Sequence, residues 1–141
     1  MQIKPVILGT IAYTAVTFPL AVLWHVVLFK PTYVALGYFG GEPSFVLGFS
    51  AIFIQGAMLS AGFGFFNIGG RPLGRGLTYA LVVGLFFWTS HVLAFAAKNA
   101  LSATPLFFIL ETLYLCLQFG IFGALIGVIY DKQAPSATVN T

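Results

Sequence analysis

Four long apolar segments, separated by short breaks rich in proline, glycine or charge, make up almost the whole chain. They cover residues 5–29, 44–66, 77–97 and 105–130. At a rise of about 1.5 Å per residue, each can form a helix that crosses roughly 30 Å of hydrocarbon. In lipid, only helices and closed barrels satisfy the backbone, and continuous apolar runs without alternation do not suit a barrel. The sequence therefore predicts an all-α integral membrane protein, a four-transmembrane-helix bundle.

The composition supports the membrane prediction and argues against other classes of protein. Hydrophobic residues make up 60% of the chain and charged residues only 6%, whereas soluble domains carry about a quarter charged residues. The net charge of +3 is small and scattered, so we expect the lipid bilayer as a partner and no nucleic acid. The single cysteine, Cys116, allows no internal disulfide, and we expect it to be a buried, inert thiol.

The segment pattern predicts one four-helix transmembrane domain over residues 1–132, followed by a disordered polar tail over residues 133–141. The first segment is too long for a secretory signal, so we expect a retained span. Basic residues set the orientation, since cytoplasmic loops carry more lysine and arginine. Lys4, Arg71, Arg75 and Lys132 fall on the side of the termini, and Lys30 and Lys98 on the other. We therefore expect both termini in the cytoplasm, in a bacterial inner membrane.

Three ionisable residues lie inside the apolar segments, where such groups need a specific reason. His25 lies five residues before Lys30, His91 seven before Lys98, and Glu111 six residues into the fourth segment. These spacings put all three at one depth, roughly 7–10 Å below the same face of the membrane. The sequence thus predicts a His/His/Glu layer in the outer half of the bilayer, contributed by three helices.

Other polar and aromatic residues accompany this layer. Glu111, Tyr114 and Gln118 follow the spacing of one helical face and should form an inward stripe. Gln55 lies about midway through the second segment. Trp24 and Trp88 flank the layer, and Trp88 should share a face with His91. These residues are the candidates for binding a ligand or a proton: His25, His91, Glu111, Tyr114, Gln55, Gln118, Trp24 and Trp88.

Three interpretations of the layer remain open. The histidines and Glu111 can be structural, with Glu111 paired to His91 or Lys98. Alternatively, the layer binds a small ligand or exchanges protons. A third alternative has His25, His91 and Glu111 hold haem iron or a divalent metal, although no two-ligand motif supports it and we expect no cofactor.

The two halves of the chain resemble each other faintly. His25 and Lys30 in the first segment correspond to His91 and Lys98 in the third. Each following segment begins near a proline, Pro43 or Pro105, with a glutamine twelve or thirteen residues later. Either chance or a parallel 2+2 internal repeat explains these matches, and parallel repeats occur among transporters.

The first and last segments also resemble a known family. The run from Leu23 to Phe29, with Tyr33 and Gly37 after it, is similar to the first-span signature of short four-span bacterial proteins catalogued as domain of unknown function 1761. The fourth segment ends in a similar pattern, with Gly123, Gly127 and Tyr130. His25 stands where that family more often has tyrosine. The resemblance implies a four-helix fold, and it implies no activity and no catalytic residues.

Together these observations predict a small non-catalytic integral membrane protein. We expect an accessory or binding subunit, or a small-ligand or proton-coupled carrier that acts as an oligomer. Small residues spaced by four in the second and fourth segments allow close packing between helices of the bundle. Alternatively, they provide the contact surface of a homodimer or of a larger membrane complex. The alternative function is a membrane enzyme or a haem- or metal-binding protein that uses the His/His/Glu layer.

Overall fold

A computed structural model describes residues 3–66 and 68–133, and within these ranges every regular element is a helix. The elements, in chain order, are α1 (Ile3–Ala21), a first π-helical segment (Val22–Leu28), α2 (Lys30–Ala35), α3 (Phe45–Phe63), α4 (Pro72–Trp88), a second π-helical segment (Thr89–Leu93), α5 (Ala94–Lys98) and α6 (Thr104–Lys132). Apart from Gln133, the predicted disordered tail lies outside the described residues.

Four of these helical stretches are long and apolar enough to cross a membrane. We call them the first to fourth spans: Ile3–Leu28, Phe45–Phe63, Pro72–Lys98 and Thr104–Lys132. The prediction of an all-α bundle with four apolar helices is therefore confirmed. The third span begins at Pro72, before the predicted Leu77, because proline in the first helical turn lacks only an N–H that would have no helical partner.

The four spans pack in the order second, first, fourth, third. Helix α1 contacts both α3 and α6, and α4 packs against α6. The first and fourth spans are thus central, and the fourth is the most buried of the four. We call the end that carries α2 the loop end, and the end that carries Ile3 and Lys132 the terminal end.

Two π-helical segments interrupt the first and third spans near the loop end. The amide of Phe29 donates to the carbonyl of Trp24 at 3.0 Å, a hydrogen bond across five residues rather than the four of an α-helix. Short π-helical insertions are rare and occur frequently at functional sites. Each segment contains one of the two histidines, His25 or His91.

Glycines allow the backbones of α4 and α6 to touch. A Cβ atom on Gly76 would collide with the carbonyl oxygen of Gly123, and one on Gly127 with the carbonyl oxygen of Pro72. Gly120 lies one turn from this contact but has nothing within 4 Å of a built Cβ. Of the small residues predicted to pack helices in the fourth span, Gly123 and Gly127 therefore do so against α4, whereas Gly120 does not.

We expect Gly127→Ala to destabilise the bundle, because its new methyl group must push α4 away from α6. Overpacking of this kind typically costs about 1–3 kcal/mol. Gly120→Ala is the matched control, since the same change on the same helix meets open space. Thermal unfolding of both variants in detergent measures the difference. Equal melting temperatures for the two variants would contradict the close contact at Gly127.

Candidate functional site

The carboxylate of Glu111 is the centre of the candidate site. Glu111 lies on α6 and is fully buried, with 0% of its surface exposed. Its Oε1 lies 3.0 Å from Nε2 of His25, and its Oε2 lies 2.8 Å from Nε2 of His91. The structure therefore brings together, within hydrogen-bond distance, three ionisable residues from three different spans. We call these three residues the triad.

Two aromatic side chains extend the hydrogen bonds of the triad. The Tyr33 hydroxyl donates to Oε1 of Glu111 at 2.5 Å, and the indole N–H of Trp24 donates to the Tyr33 hydroxyl at 3.0 Å. A tyrosine in a short aromatic segment between two spans usually lies at the membrane interface, but Tyr33 is fully buried. The cause is α2, a short helix with Pro31 in its first turn, which carries Tyr33 to the carboxylate.

The hydrogen bonds of His25 restrict where its protons lie. Nδ1 of His25 is 3.0 Å from the carbonyl oxygen of Ala21, and because a carbonyl only accepts, Nδ1 carries a hydrogen. Nε2 must then either carry a second proton and donate to the Glu111 carboxylate, or accept a proton from a neutral carboxyl group. In both cases the bond between His25 and Glu111 contains one proton that the two residues share.

A polar cavity of about 410 Å³ lies beside the triad. Residues of all four spans line it, and at roughly 30 Å³ per molecule it has room for about a dozen waters. Both triad histidines line the cavity. The other polar lining residues are Thr17, Tyr38, Gln55, Ser90, Tyr114 and Gln118.

At the end of the cavity away from the triad, Tyr13 joins the two glutamines. The amide N–H of Gln118 donates to the Tyr13 hydroxyl at 2.5 Å, and that hydroxyl donates to Oε1 of Gln55 at 3.3 Å. Sequence reasoning overlooked Tyr13. The sequence did contain a signal for it. Thr10, Thr14 and Thr17 surround Tyr13 at the spacing of a single helical face, so this face is polar.

The inward polar stripe of the fourth span is confirmed, since Glu111, Tyr114 and Gln118 are all buried. The Tyr114 ring packs edge-on against the imidazole of His25, with ring centroids 4.6 Å apart. Trp24 reaches the triad indirectly, through Tyr33.

Trp88 faces away from the polar cavity. Its indole N–H donates to Thr112 at 2.9 Å, and its ring lines an apolar groove between α4 and α6. The predicted shared face of Trp88 and His91 is therefore wrong, because the π-helical segment that begins after Trp88 and contains His91 changes the helical spacing. Cys116 also lines this groove and is exposed, which corrects our expectation of a buried thiol.

The buried carboxylate of Glu111 affects the pKa of two tyrosines that lie outside the spans. Burial raises the pKa of the Tyr33 hydroxyl well above its usual value near 10, and the negative charge of Glu111 raises it further. The same two causes, in the same order, raise the pKa of Tyr38. Both phenols therefore remain protonated, and Tyr33 remains a hydrogen-bond donor to Glu111, into the alkaline range.

The described part of the chain contains no group of three histidine, cysteine, aspartate or glutamate side chains that could hold a metal ion. In the triad, each imidazole Nε2 faces a different oxygen of the same carboxylate. A metal ion at this place would first have to replace those two hydrogen bonds.

Comparisons with known proteins found no matching family model, curated protein or solved structure.

The raised pKa of Tyr33 predicts a titration result. Ionisation of the six tyrosines can be followed by tyrosinate absorbance, and Tyr33→Phe removes one of them. In the folded protein near pH 10, we expect the variant and the wild type to show the same absorbance increase, because Tyr33 is not ionised there. In denaturant, where tyrosines ionise near pH 10, the variant should lose about a sixth of the increase. A similar deficit in the folded variant would contradict the raised pKa.

Proposed function

We propose that this chain is a small, non-catalytic integral membrane protein that binds a small polar ligand in its cavity and exchanges a proton at the triad. One observation carries the proposal: a fully buried carboxylate bonded to two histidines beside a polar cavity. Ionisable groups among apolar helices are costly and usually serve proton or substrate pathways. A purely structural role would not require that both histidines also line a cavity.

The proton shared by His25 and Glu111 makes ligand binding and proton exchange interdependent. The side chain of His91 is 37% exposed, so it is the partner of Glu111 that a ligand in the cavity reaches most easily. A ligand that carries a cationic or hydrogen-bond-donating group can take the place of His91 on Oε2. That exchange changes the charge around the carboxylate, and the shared proton then moves fully to one residue or leaves through the cavity.

Exposed apolar side chains along the four spans support insertion into a lipid bilayer. We propose that both termini face the cytoplasm of a bacterial inner membrane, since four of the six basic residues, Lys4, Arg71, Arg75 and Lys132, lie near the ends of the spans on the side of the termini. Four helices enclose little space, so we propose that a carrier of this size acts as an oligomer or within a larger membrane complex. Membership of the family catalogued as domain of unknown function 1761 stays a prediction.

Pairs of corresponding residues favour the parallel 2+2 repeat. His25 and His91 both lie in π-helical segments, and both bond the same carboxylate. Gln55 and Gln118, the matching glutamines of the two halves, both bond the Tyr13 hydroxyl. We propose that the halves arose by duplication and that a single Glu111 and a single Tyr13 serve both. The alternative of a haem or metal enzyme has no comparable support.

The test compares Glu111→Gln with Glu42→Gln, a matched change at an exposed glutamate in the loop before α3. Infrared difference spectra of the protein in lipid vesicles, recorded between pH 5 and 9, detect a buried carboxyl group that exchanges a proton. We expect this signal in the wild type and in Glu42→Gln, and its loss in Glu111→Gln.

If the triad is only structural, the carboxyl signal will not change across this pH range in the wild type. That outcome would overturn the proposal.

A further inference from the structure

The polar cavity is open at its side, between the second and third spans. Helix α3 packs on α1 and the third span packs on α6, so each of these two spans packs on a different central span. They meet near the terminal end, where the Tyr79 hydroxyl donates to the carbonyl oxygen of Leu59 at 2.9 Å. Nearer the loop end, Gly48 of the second span and Ser90 of the third line the cavity and are exposed. We call the space between Gly48 and Ser90 the lateral gap.

Packed side chains close the cavity at both ends along the bundle axis. Toward the loop end, the Tyr38 ring lines the cavity and packs against Phe95 and Phe107, with ring centroids 4.9 and 5.8 Å apart. Toward the terminal end, the hydrogen bond between Gln118 and Tyr13 crosses from the fourth span to the first. The lateral gap is therefore the side of the cavity that remains open to a ligand.

The lateral gap lies at the depth of the lipid chains. On the second span, its lining runs from Gly48 to Gln55, which covers about 10 Å along the helix axis. Its surroundings are apolar, since Leu47, Ile54 and Phe86, each next in sequence to a cavity-lining residue, are 72%, 58% and 70% exposed. A molecule that enters through the gap therefore comes from the bilayer, and any part of it that stays in the gap is surrounded by hydrocarbon.

The exposed part of the triad accepts hydrogen bonds. His91 bonds Oε2 of Glu111 through Nε2, and this is the only hydrogen bond of its side chain among the described residues. A neutral imidazole that donates through Nε2 has a lone pair on Nδ1, so Nδ1 accepts a hydrogen bond from a ligand. The carboxylate of Glu111 also accepts hydrogen bonds, and its negative charge repels an anionic group. These groups therefore match a head group that donates hydrogen bonds and carries no negative charge.

We propose that the cavity binds the polar head of a single-chain amphiphile dissolved in the bilayer. An amino or hydroxyl head group lies beside the triad, and the alkyl chain extends through the lateral gap into the lipid. The proposal rests on the proposed function, because the triad and its cavity supply the polar contacts, and it names the class of ligand. A cavity of about 410 Å³ holds a small head group and the first carbons of a chain. The rest of the chain stays in hydrocarbon, so binding does not transfer it to water.

The experiment measures binding of radiolabelled dodecylamine to the protein in phosphatidylcholine nanodiscs that hold one chain each, with empty nanodiscs as the background. We expect saturable binding of one dodecylamine per chain above this background. Glu111→Gln removes the negative charge beside the amine and should weaken binding at least roughly tenfold. Glu42→Gln makes the same change at an exposed glutamate and should have no effect. Lack of saturable binding by the wild type would overturn the proposal.

A second pair of variants tests the gap itself. Gly48→Trp fills the lateral gap with an indole ring, and Gly120→Trp puts the same side chain on the fourth span, away from the cavity. A Cβ built at either glycine meets no atom within 4 Å, so both variants should keep the fold. We expect Gly48→Trp to weaken dodecylamine binding at least roughly tenfold and Gly120→Trp to leave it unchanged. Equal binding by the two variants would show that the alkyl chain does not occupy the gap, and the proposal would fail.

Two comparisons identify other occupants of the cavity and the gap. Butylamine has the same head group as dodecylamine, with a chain too short to anchor it in the bilayer. Saturable binding of butylamine without binding of dodecylamine would mean that the cavity takes a water-soluble ligand, which contradicts the proposal. Loss of dodecylamine binding in nanodiscs that hold two chains would mean that a second copy fills the gap, which contradicts it as well.

The infrared signal of Glu111 distinguishes these failures from failure of the proposed function. A normal carboxyl signal without dodecylamine binding removes the amphiphile but leaves proton exchange at the triad. Dodecylamine binding that requires Glu111 and an open gap, without a carboxyl signal, supports the amphiphile site and removes proton exchange. Binding together with a normal carboxyl signal supports both proposals.

Discussion

The burial of one carboxylate is the constraint on which the rest of this structure depends. Removing Glu111 from water is unfavourable unless several hydrogen bonds compensate, and a buried charge that loses its partner destabilises a fold strongly. Two imidazoles and a phenol satisfy Glu111, and they come from the first span, the third span and α2. The triad therefore fixes how these elements meet at the loop end, in addition to any chemistry that it performs.

The helices achieve this arrangement by departing from ideal geometry. Both histidines lie on π-helical segments, which offset the residues that follow from their places on a regular α-helix. Close glycine contacts between α4 and α6 hold the third span against the fourth, near enough for His91 to reach Glu111. The second span packs against α1 instead, so the cavity lies among all four spans beside the triad.

Sequence reasoning predicted the part of the site that depends on helical periodicity and depth. Counting residues from the ends of the spans placed His25, His91 and Glu111 in one layer, and helical spacing placed Tyr114 and Gln118 below Glu111. It overlooked Tyr33, because a tyrosine in a short aromatic segment between two spans is typical of the membrane interface. It also misplaced Trp88, since the spacing of an ideal α-helix does not apply across a π-helical segment.

The sequence by itself determined that the chain has four apolar helices and that three ionisable residues lie at one depth. Both conclusions follow from hydrophobicity and rise per residue, which are local properties of the chain. Only the tertiary structure decided that Glu111 bonds both histidines and that the Tyr33 hydroxyl, carried by α2, donates a third hydrogen bond to the same carboxylate. These contacts depend on the rotation and order of the helices in the bundle, and helix packing sets both of them.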